Sequence, residues 1–177
     1  MRLSALFLLS CLVSVQAPAQ GKLRELLTGR PPEGFTERTW TVDGVKRTAL
    51  VRVPADPKAP AAVVFCWHGH GGNSAQSVRG WAFDKADTTS ILVYPQGLPT
   101  VSPLVDKEGR RSGWQSAVGA EGDRDIKLFD AILADLKKER SVNERRIYSM
   151  GHSNGAAFSY ILWQARPDVL AAIGSVA

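Results

Sequence analysis

A short stretch with the pattern Gly-x-Ser-x-Gly is the part of this sequence best suited to chemistry; it reads Gly151-His152-Ser153-Asn154-Gly155. It lies between a short apolar run that predicts a buried strand and an amphipathic run that predicts a helix. A serine on a sharp turn between a strand and a helix projects its hydroxyl out of the backbone. Such a turn leaves no room for Cβ atoms, which accounts for the two flanking glycines. Ser153 is therefore the candidate nucleophile.

A second glycine-rich turn follows an earlier apolar run and reads His68-Gly69-His70-Gly71-Gly72. A serine that attacks an acyl carbonyl needs N–H groups to stabilise the resulting oxyanion. We predict that the backbone N–H of Asn154, at the start of a helix, supplies one donor. The second comes from the turn, from His70 with Gly71 beside it. The expected supporting residues of the two turns are His68, Gly69, Gly151, His152 and Gly155.

The elements that must position these turns are strands alternating with helices. Strands are predicted at residues 39–42, 47–53, 61–67, 90–94, 146–150 and 169–176. The first two form a hairpin around Asp43 and Gly44. One helix is expected to begin at Asn73 or Ser74 and to continue through Lys85, and others are expected after Asp123 and Ser153. This order predicts an α/β fold: a mostly parallel, doubly wound sheet with an N-terminal antiparallel hairpin.

A family resemblance rests on these two turns and on two further features, Tyr94-Pro95-Gln96-Gly97 and Trp114 in the long loop at residues 96–122. From about Thr39 to Ala177 the chain resembles the secreted esterases of the polyhydroxybutyrate depolymerase and feruloyl esterase group, in the α/β-hydrolase superfamily. Many relatives carry a cysteine beside the loop tryptophan, where this chain has Gly113. Many also have a second glycine after the serine motif, where this chain has Ala156.

The resemblance implies an α/β-hydrolase fold and a serine esterase that forms an acyl-enzyme on Ser153. It implies ester substrates, either aromatic-acid esters on plant polysaccharide or hydroxyalkanoate esters, and the sequence does not choose among feruloyl, acetyl and hydroxybutyrate groups. Trp114 is expected to line the substrate cleft, with hydrophobic packing as the alternative. Other open alternatives are an acyltransferase or peptidase on the same fold, and a non-catalytic carbohydrate-binding relative.

The superfamily orders its catalytic triad as Ser, then Asp or Glu, then His. The histidines of this chain are His68, His70 and His152, and none follows Ser153. We therefore expect a C-terminally truncated fragment, with an incomplete sheet and no activity of its own. Asp123 and Asp125 also precede the serine and are expected to serve helix capping and surface charge.

The first residues read as a secretory signal peptide over 1–19, with cleavage after Ala19, which predicts secretion or export to the periplasm. The apolar run is too short to span a membrane. A lipoprotein signal at Cys11 is a weaker alternative. The predicted organisation is a signal peptide at 1–19, a leader at 20–37 and the N-terminal part of a catalytic domain at 38–177.

Composition limits the remaining classes of function. The chain is 44% hydrophobic and 22% charged, which is typical of a globular domain. Its formal net charge is +5, but the basic residues are scattered, so we expect no nucleic-acid partner. Cys66 lies in an apolar run and is expected to be a small buried side chain. No cluster of metal ligands is visible, and we expect neither a metal nor a cofactor.

Overall fold

A computed structural model describes residues 30–56 and 60–177, and the predicted signal peptide and most of the leader lie outside these residues. The described part of the structure has eight strands, four α-helices and a short 3-10 helix at Ala120–Asp123. The strands are β1 (Thr36–Val42), β2 (Val45–Arg52), β3 (Ala61–Trp67), β4 (Ile91–Pro95), β5 (Leu98–Pro99), β6 (Ser112–Gly113), β7 (Val142–His152) and β8 (Ala172–Val176). The helices are α1 (Ser74–Trp81), α2 (Phe83–Ala86), α3 (Arg124–Glu139) and α4 (Asn154–Ala165).

Six of the strands form one mixed sheet in the order β1-β2-β4-β3-β7-β8. The β1–β2 and β2–β4 pairs are antiparallel, and the β4–β3, β3–β7 and β7–β8 pairs are parallel. The predicted hairpin is present, and Asp43 and Gly44 at its tip both have positive φ, as a two-residue hairpin turn requires. The predicted α/β class and the mostly parallel sheet are thus confirmed.

Side chains alternate between the two faces of the central strands, and each face is covered by helices. Phe65 and Trp67 of β3 pack with Phe129 of α3 and Phe158 of α4 in the larger core cluster. The opposite face holds a smaller cluster with Val78 of α1; its other buried members are Phe35, Leu50, Cys66, Leu92 and Tyr94. Cys66 is a buried side chain, as predicted, and its burial raises the pKa of the thiol.

Two predictions about helices are wrong. The helix expected to continue through Lys85 is broken at Ala82, whose φ of 49° lies in the left-handed region. Asp123 does not cap α3, because its carboxylate accepts hydrogen bonds from Gly119 and Gln115 instead. The loop at residues 96–122 carries the small hairpin of β5 and β6.

Strand β8 lies at the edge of the sheet and is half-buried to exposed, rather than buried as predicted. Its one sheet neighbour is β7, with His152 opposite Val176. Within the described residues, no helix is both long enough and apolar enough to cross a membrane.

Candidate active site

Ser153 occupies the turn between the end of β7 and the start of α4, as predicted. Its backbone has φ 52° and ψ −117°, a conformation that residues other than glycine rarely adopt. Its N–H donates to the carbonyl of Val176 in β8 at 2.8 Å, and the residue is exposed. Strain of this kind, held in place by surrounding hydrogen bonds, is common at active sites.

The two glycines that flank Ser153 are sterically required. A Cβ on Gly151 would lie 2.1 Å from the carbonyl carbon of Gly155. A Cβ on Gly155 would lie 2.2 Å from the carbonyl oxygen of Trp67. Both distances are far below van der Waals contact, so α4 approaches β3 and β7 closely only because these side chains are missing.

The glycine-rich turn at residues 68–72 lies directly against the serine turn. Strands β3 and β7 are paired with Trp67 opposite Gly151, which brings the ends of the two strands to the same level. A Cβ on Gly69 would lie 2.8 Å from Nδ1 of His152 and 3.5 Å from Cβ of Ser153. The structure therefore brings the two motifs together.

The backbone N–H groups near Ser153 are not equally available. The N–H of Gly71 donates to the carbonyl of Ser112 at 2.7 Å, so Gly71 is not a free oxyanion donor and that part of the prediction is corrected. The N–H of Asn154 is at the first position of α4, where no carbonyl in the same helix can accept it. The N–H groups of His70 and Asn154 remain the candidate donors.

His68 supports the turn rather than facing the solvent. Its Nε2 accepts a hydrogen bond from the N–H of Gly97 at 3.0 Å, so the proton lies on Nδ1, which donates to the carbonyl of Gly69 at 2.8 Å. Burial lowers the pKa of His68, which keeps the imidazole neutral. His152, by contrast, is exposed beside Ser153.

Trp114 lies in the core and not on the wall of a cleft, which corrects the expected substrate contact. Its side chain is 1% exposed, and its indole N–H donates to the carbonyl of His68 at 2.7 Å. The ring packs against Trp67 and Phe158, with centroid distances of 4.9 and 5.7 Å. The buried position follows from aromatic packing, and Trp114 contributes to the site by supporting the glycine-rich turn.

A contact that the sequence did not reveal joins the loop to α4. Oδ1 of Asn154 accepts from the N–H of Trp114 at 2.8 Å, and Nδ2 of Asn154 donates to the carbonyl of Trp114 at 3.3 Å. A Cβ on Gly113 would lie 3.1 Å from Oδ1 of Asn154. The side chain of Asn154 therefore fixes the loop while its backbone N–H is a candidate oxyanion donor.

A buried ion pair anchors the other end of this loop. Arg47 in β2 and Asp125 in α3 are 2.7 Å apart, and both side chains are almost completely buried. Asp125 also accepts from the N–H of Gln115, whose side-chain oxygen accepts from the N–H of Asp125. Burial lowers the pKa of Arg47, and Asp125 opposes that shift. The expectation of a surface charge at Asp125 is therefore wrong, because the side chain is buried.

A cleft of about 260 Å³ opens beside Ser153. Its walls come from the glycine-rich turn, from α1 and from the serine turn; they are formed by His68, Gly69, His70, Gly72, Asn73, Gln76, Ser77, Gly80, Trp81, His152 and Ser153. Among the residues at 30–56 and 60–177, no group of three or more His, Cys, Asp or Glu side chains is arranged to hold a metal ion.

Sequence comparison finds relatives among esterases, although no protein-family model matches the chain. The protein named "Probable feruloyl esterase C" in Aspergillus flavus is 26% identical over 184 residues, which cover 97% of this chain and 58% of the relative. "Feruloyl esterase C" of Emericella nidulans is 26% identical over 129 residues, covering 68% of this chain and 42% of the relative. The chain thus spans about half the length of the curated relatives that it matches.

Structure comparison gives the same class of fold. A ferulic acid esterase from Anaeromyces mucronatus superposes with a TM-score of 0.58 at 19% identity, covering 80% of this chain and 57% of the other. An acetyl xylan esterase from Aspergillus awamori gives a TM-score of 0.59 at 15% identity, covering 80% and 53%. The strand order and these neighbours show that the chain has the α/β-hydrolase fold.

Proposed function

We propose, from its α/β-hydrolase fold and its similarity to feruloyl esterases, that this chain carries the nucleophile and oxyanion site of a serine esterase. The observation that carries the proposal is the position of Ser153. Its exposed hydroxyl-bearing side chain stands on a strained turn, directly against a second turn with backbone N–H groups. A serine with a merely structural role would not need such a conformation.

The proposed reaction has two steps. Oγ of Ser153 attacks the ester carbonyl carbon while a base takes the hydroxyl proton. The tetrahedral intermediate then loses the alcohol, which takes that proton, and the acyl-enzyme remains. In the second step water attacks the acyl carbon and gives a proton to the base, Oγ of Ser153 leaves and recovers that proton, and the acid is released. The N–H groups of His70 and Asn154 stabilise the negative oxygen in both steps, and loss of one such donor typically costs about 10²–10³ in rate.

The proton acceptor is a separate part of the proposal. Within the described residues, no histidine is hydrogen-bonded to the hydroxyl of Ser153. Both ring nitrogens of His68 already have partners: Nε2 accepts from the Gly97 N–H, and Nδ1 donates to the Gly69 carbonyl. The side chain of His70 is directed to Asp106. The reaction requires a base, and neither His68 nor His70 is placed to act as one.

The proposed substrates are carboxylic esters linked to plant polysaccharide. Support comes from the names of the similar proteins, which are feruloyl, ferulic acid and acetyl xylan esterases. Hydroxyalkanoate esters remain a second substrate class on the sequence resemblance. Export follows from the predicted signal peptide, and N-terminal sequencing of the secreted protein is expected to begin at Gln20.

The nucleophile is tested by labelling the protein expressed from its complete gene with a fluorophosphonate, followed by peptide mass spectrometry. We expect one label, on the peptide that contains Ser153, and no label on the Ser153→Ala variant. The matched control is Ser175→Ala, an exposed serine in the edge strand β8, which should be labelled at the normal rate. A label on another residue, or no label on the wild type, contradicts the proposal.

The substrate class is tested with methyl ferulate, p-nitrophenyl acetate and a hydroxybutyrate oligomer at equal concentration. We expect the highest kcat/KM for the ferulate or the acetate ester. Faster hydrolysis of the hydroxybutyrate oligomer would indicate that the protein cleaves polyesters, with Ser153 still its proposed nucleophile.

A further inference from the structure

A segment of the long loop, residues 106–113, lies along the glycine-rich turn and is here called the strap. It contacts three consecutive residues of the turn. Oδ2 of Asp106 lies 3.1 Å from Nε2 of His70, and the carbonyl of Ser112 accepts from the N–H of Gly71 at 2.7 Å. The hydroxyl of Ser112 donates to the carbonyl of Gly72 at 2.5 Å. The turn is thus bonded to the strap at every position from 70 to 72.

The carboxylate of Asp106 is itself held in place. The same Oδ2 atom accepts from the N–H of Arg111 at 2.8 Å, and the N–H of Asp106 donates to the carbonyl of Ser102 at 2.8 Å. The hydrogen bond from Arg111 lowers the pKa of Asp106, so the group facing His70 is a carboxylate at neutral pH. The side chains of His70 and Asp106 are only 7% and 9% exposed, which shields their contact from water.

The imidazole of His70 is also confined on its other side. A Cβ on Gly113 would lie 2.7 Å from Nδ1 of His70 and 3.1 Å from Oδ1 of Asn154. Gly113 therefore lets the imidazole and Asn154 approach the same point of the loop. The ring is held between Asp106 and Gly113, so it has little freedom to rotate, and the backbone of His70 is restrained with it.

We propose that Asp106, acting through His70, is a positioning residue that fixes the direction of the His70 backbone N–H. This inference rests on the proposed function, in which that N–H stabilises the oxyanion. Because a displacement of about 1 Å in a catalytic group can cost about 100-fold in rate, a bond that holds the turn has a measurable effect on kcat.

The test is Asp106→Asn in the complete protein, since asparagine keeps the shape of the side chain and removes its charge. We expect kcat for ester hydrolysis to fall about 10- to 100-fold while KM changes by less than about twofold, because an oxyanion donor acts in the transition state. The phosphonate labelling rate should fall in parallel. The matched control is Glu108→Gln, in the same strap but 66% exposed, which should leave kcat unchanged.

A readout that does not need catalysis completes the experiment. We expect hydrogen–deuterium exchange of the peptide spanning residues 68–73 to be faster in the Asp106→Asn variant than in the control. Ser112→Ala removes only the bond to the Gly72 carbonyl, and it should give a smaller fall in kcat with the same direction of change in exchange. This second variant decides the question if Asp106→Asn does not fold.

The outcomes separate the two proposals. An active wild type together with unchanged kcat and exchange in the Asp106→Asn variant overturns the positioning role of Asp106. A rise in KM at unchanged kcat also overturns it, since this would indicate substrate binding. A wild type that hydrolyses no ester and reacts with no phosphonate refutes the proposed function instead. In that case the exchange data alone test whether Asp106 restrains the glycine-rich turn.

Discussion

The side-chain amide of Asn154 pairs with both backbone groups of Trp114, accepting from its N–H at 2.8 Å and donating to its carbonyl at 3.3 Å. The side chain of Asn154 thus holds the loop that carries the strap, and its backbone N–H is one of the two proposed oxyanion donors. These two hydrogen bonds join the start of α4 to the loop, beside the stacking of Trp114 on Phe158 of the same helix.

Asn154→Ala is expected to lower both stability and activity. Loss of two hydrogen bonds should reduce the free energy of unfolding by about 1–3 kcal/mol. Urea unfolding measures this change, and kcat should fall because the loop and the strap are less firmly held. Gln164→Ala, at an exposed position on the same helix, should stay within about 0.5 kcal/mol of the wild type. Equal effects of the two substitutions would refute the structural role of Asn154.

Ser153→Gly is expected to abolish activity and to be more stable than Ser153→Ala. Glycine adopts a φ of 52° with a ψ of −117° readily, whereas alanine retains the strain. The difference in the free energy of unfolding should be about 1 kcal/mol in favour of glycine. Parallel urea titrations of the two inactive variants provide the comparison. A more stable alanine variant would show that the turn is not strained.

Gly155→Ala should disrupt the fold. The new Cβ would lie 2.2 Å from the carbonyl oxygen of Trp67, so α4 would have to move away from β3. We expect a loss of more than about 3 kcal/mol, seen as a lower unfolding midpoint or as insoluble protein. The control is Gly80→Ala in α1, where nothing lies within 4 Å of the added atom. That substitution should be neutral or stabilising by up to about 1 kcal/mol.

Asp125→Asn should be strongly destabilising because it leaves the guanidinium of Arg47 buried without its counter-charge. The expected cost is about 3–5 kcal/mol, measured by chemical unfolding at neutral pH. Lys127→Gln removes an ion pair with Asp43 in which both side chains are about half exposed, and it should cost less than about 0.5 kcal/mol. Similar losses in both variants would show that the Arg47–Asp125 pair is effectively solvated.

Stability is expected to depend on pH through His68. Burial lowers the pKa of His68 in the folded protein, whereas an unfolded imidazole titrates near about 6.5. Between the two pKa values the unfolded chain binds more protons, so the stabilisation is complete above about pH 6.5 and is lost as the pH falls below it. Unfolding titrations should show a steeper loss in the wild type than in His68→Gln, whose amide oxygen can still accept from Gly97. Parallel profiles would contradict this assignment.

Sequence reasoning was most successful where the signal is local. The apolar run at 61–67 matches β3 residue for residue, and the serine turn lies between a strand and a helix as predicted. Both depend on periodicity and on glycine sterics, which act over a few residues. The two motifs also meet, because parallel strands in an α/β sheet bring their carboxyl ends to one edge.

The contacts that sequence reasoning missed are long-range. Arg47 and Asp125 are separated by 78 positions, and Trp114 and Asn154 by 40, so no short pattern indicates either pair. The left-handed residue Ala82 is equally hidden, because alanine disfavours that conformation and its residue type gives no signal for it. For Trp114 the sequence leaves cleft lining and packing open, because an aromatic residue in a loop can serve either, and the structure selects packing.

Trp67 lies opposite Gly151 in the pairing of β3 with β7, so the geometry of the candidate site depends on the register of these two strands. A slip of one residue between β3 and β7 would shift the ends of the strands by about 3.3 Å and turn every side chain to the opposite face. Gly69 would no longer lie beside Ser153, although no side chain of the site had been altered. The two turns therefore come together when the central strands pair, so completion of the sheet and assembly of this part of the site are one folding event.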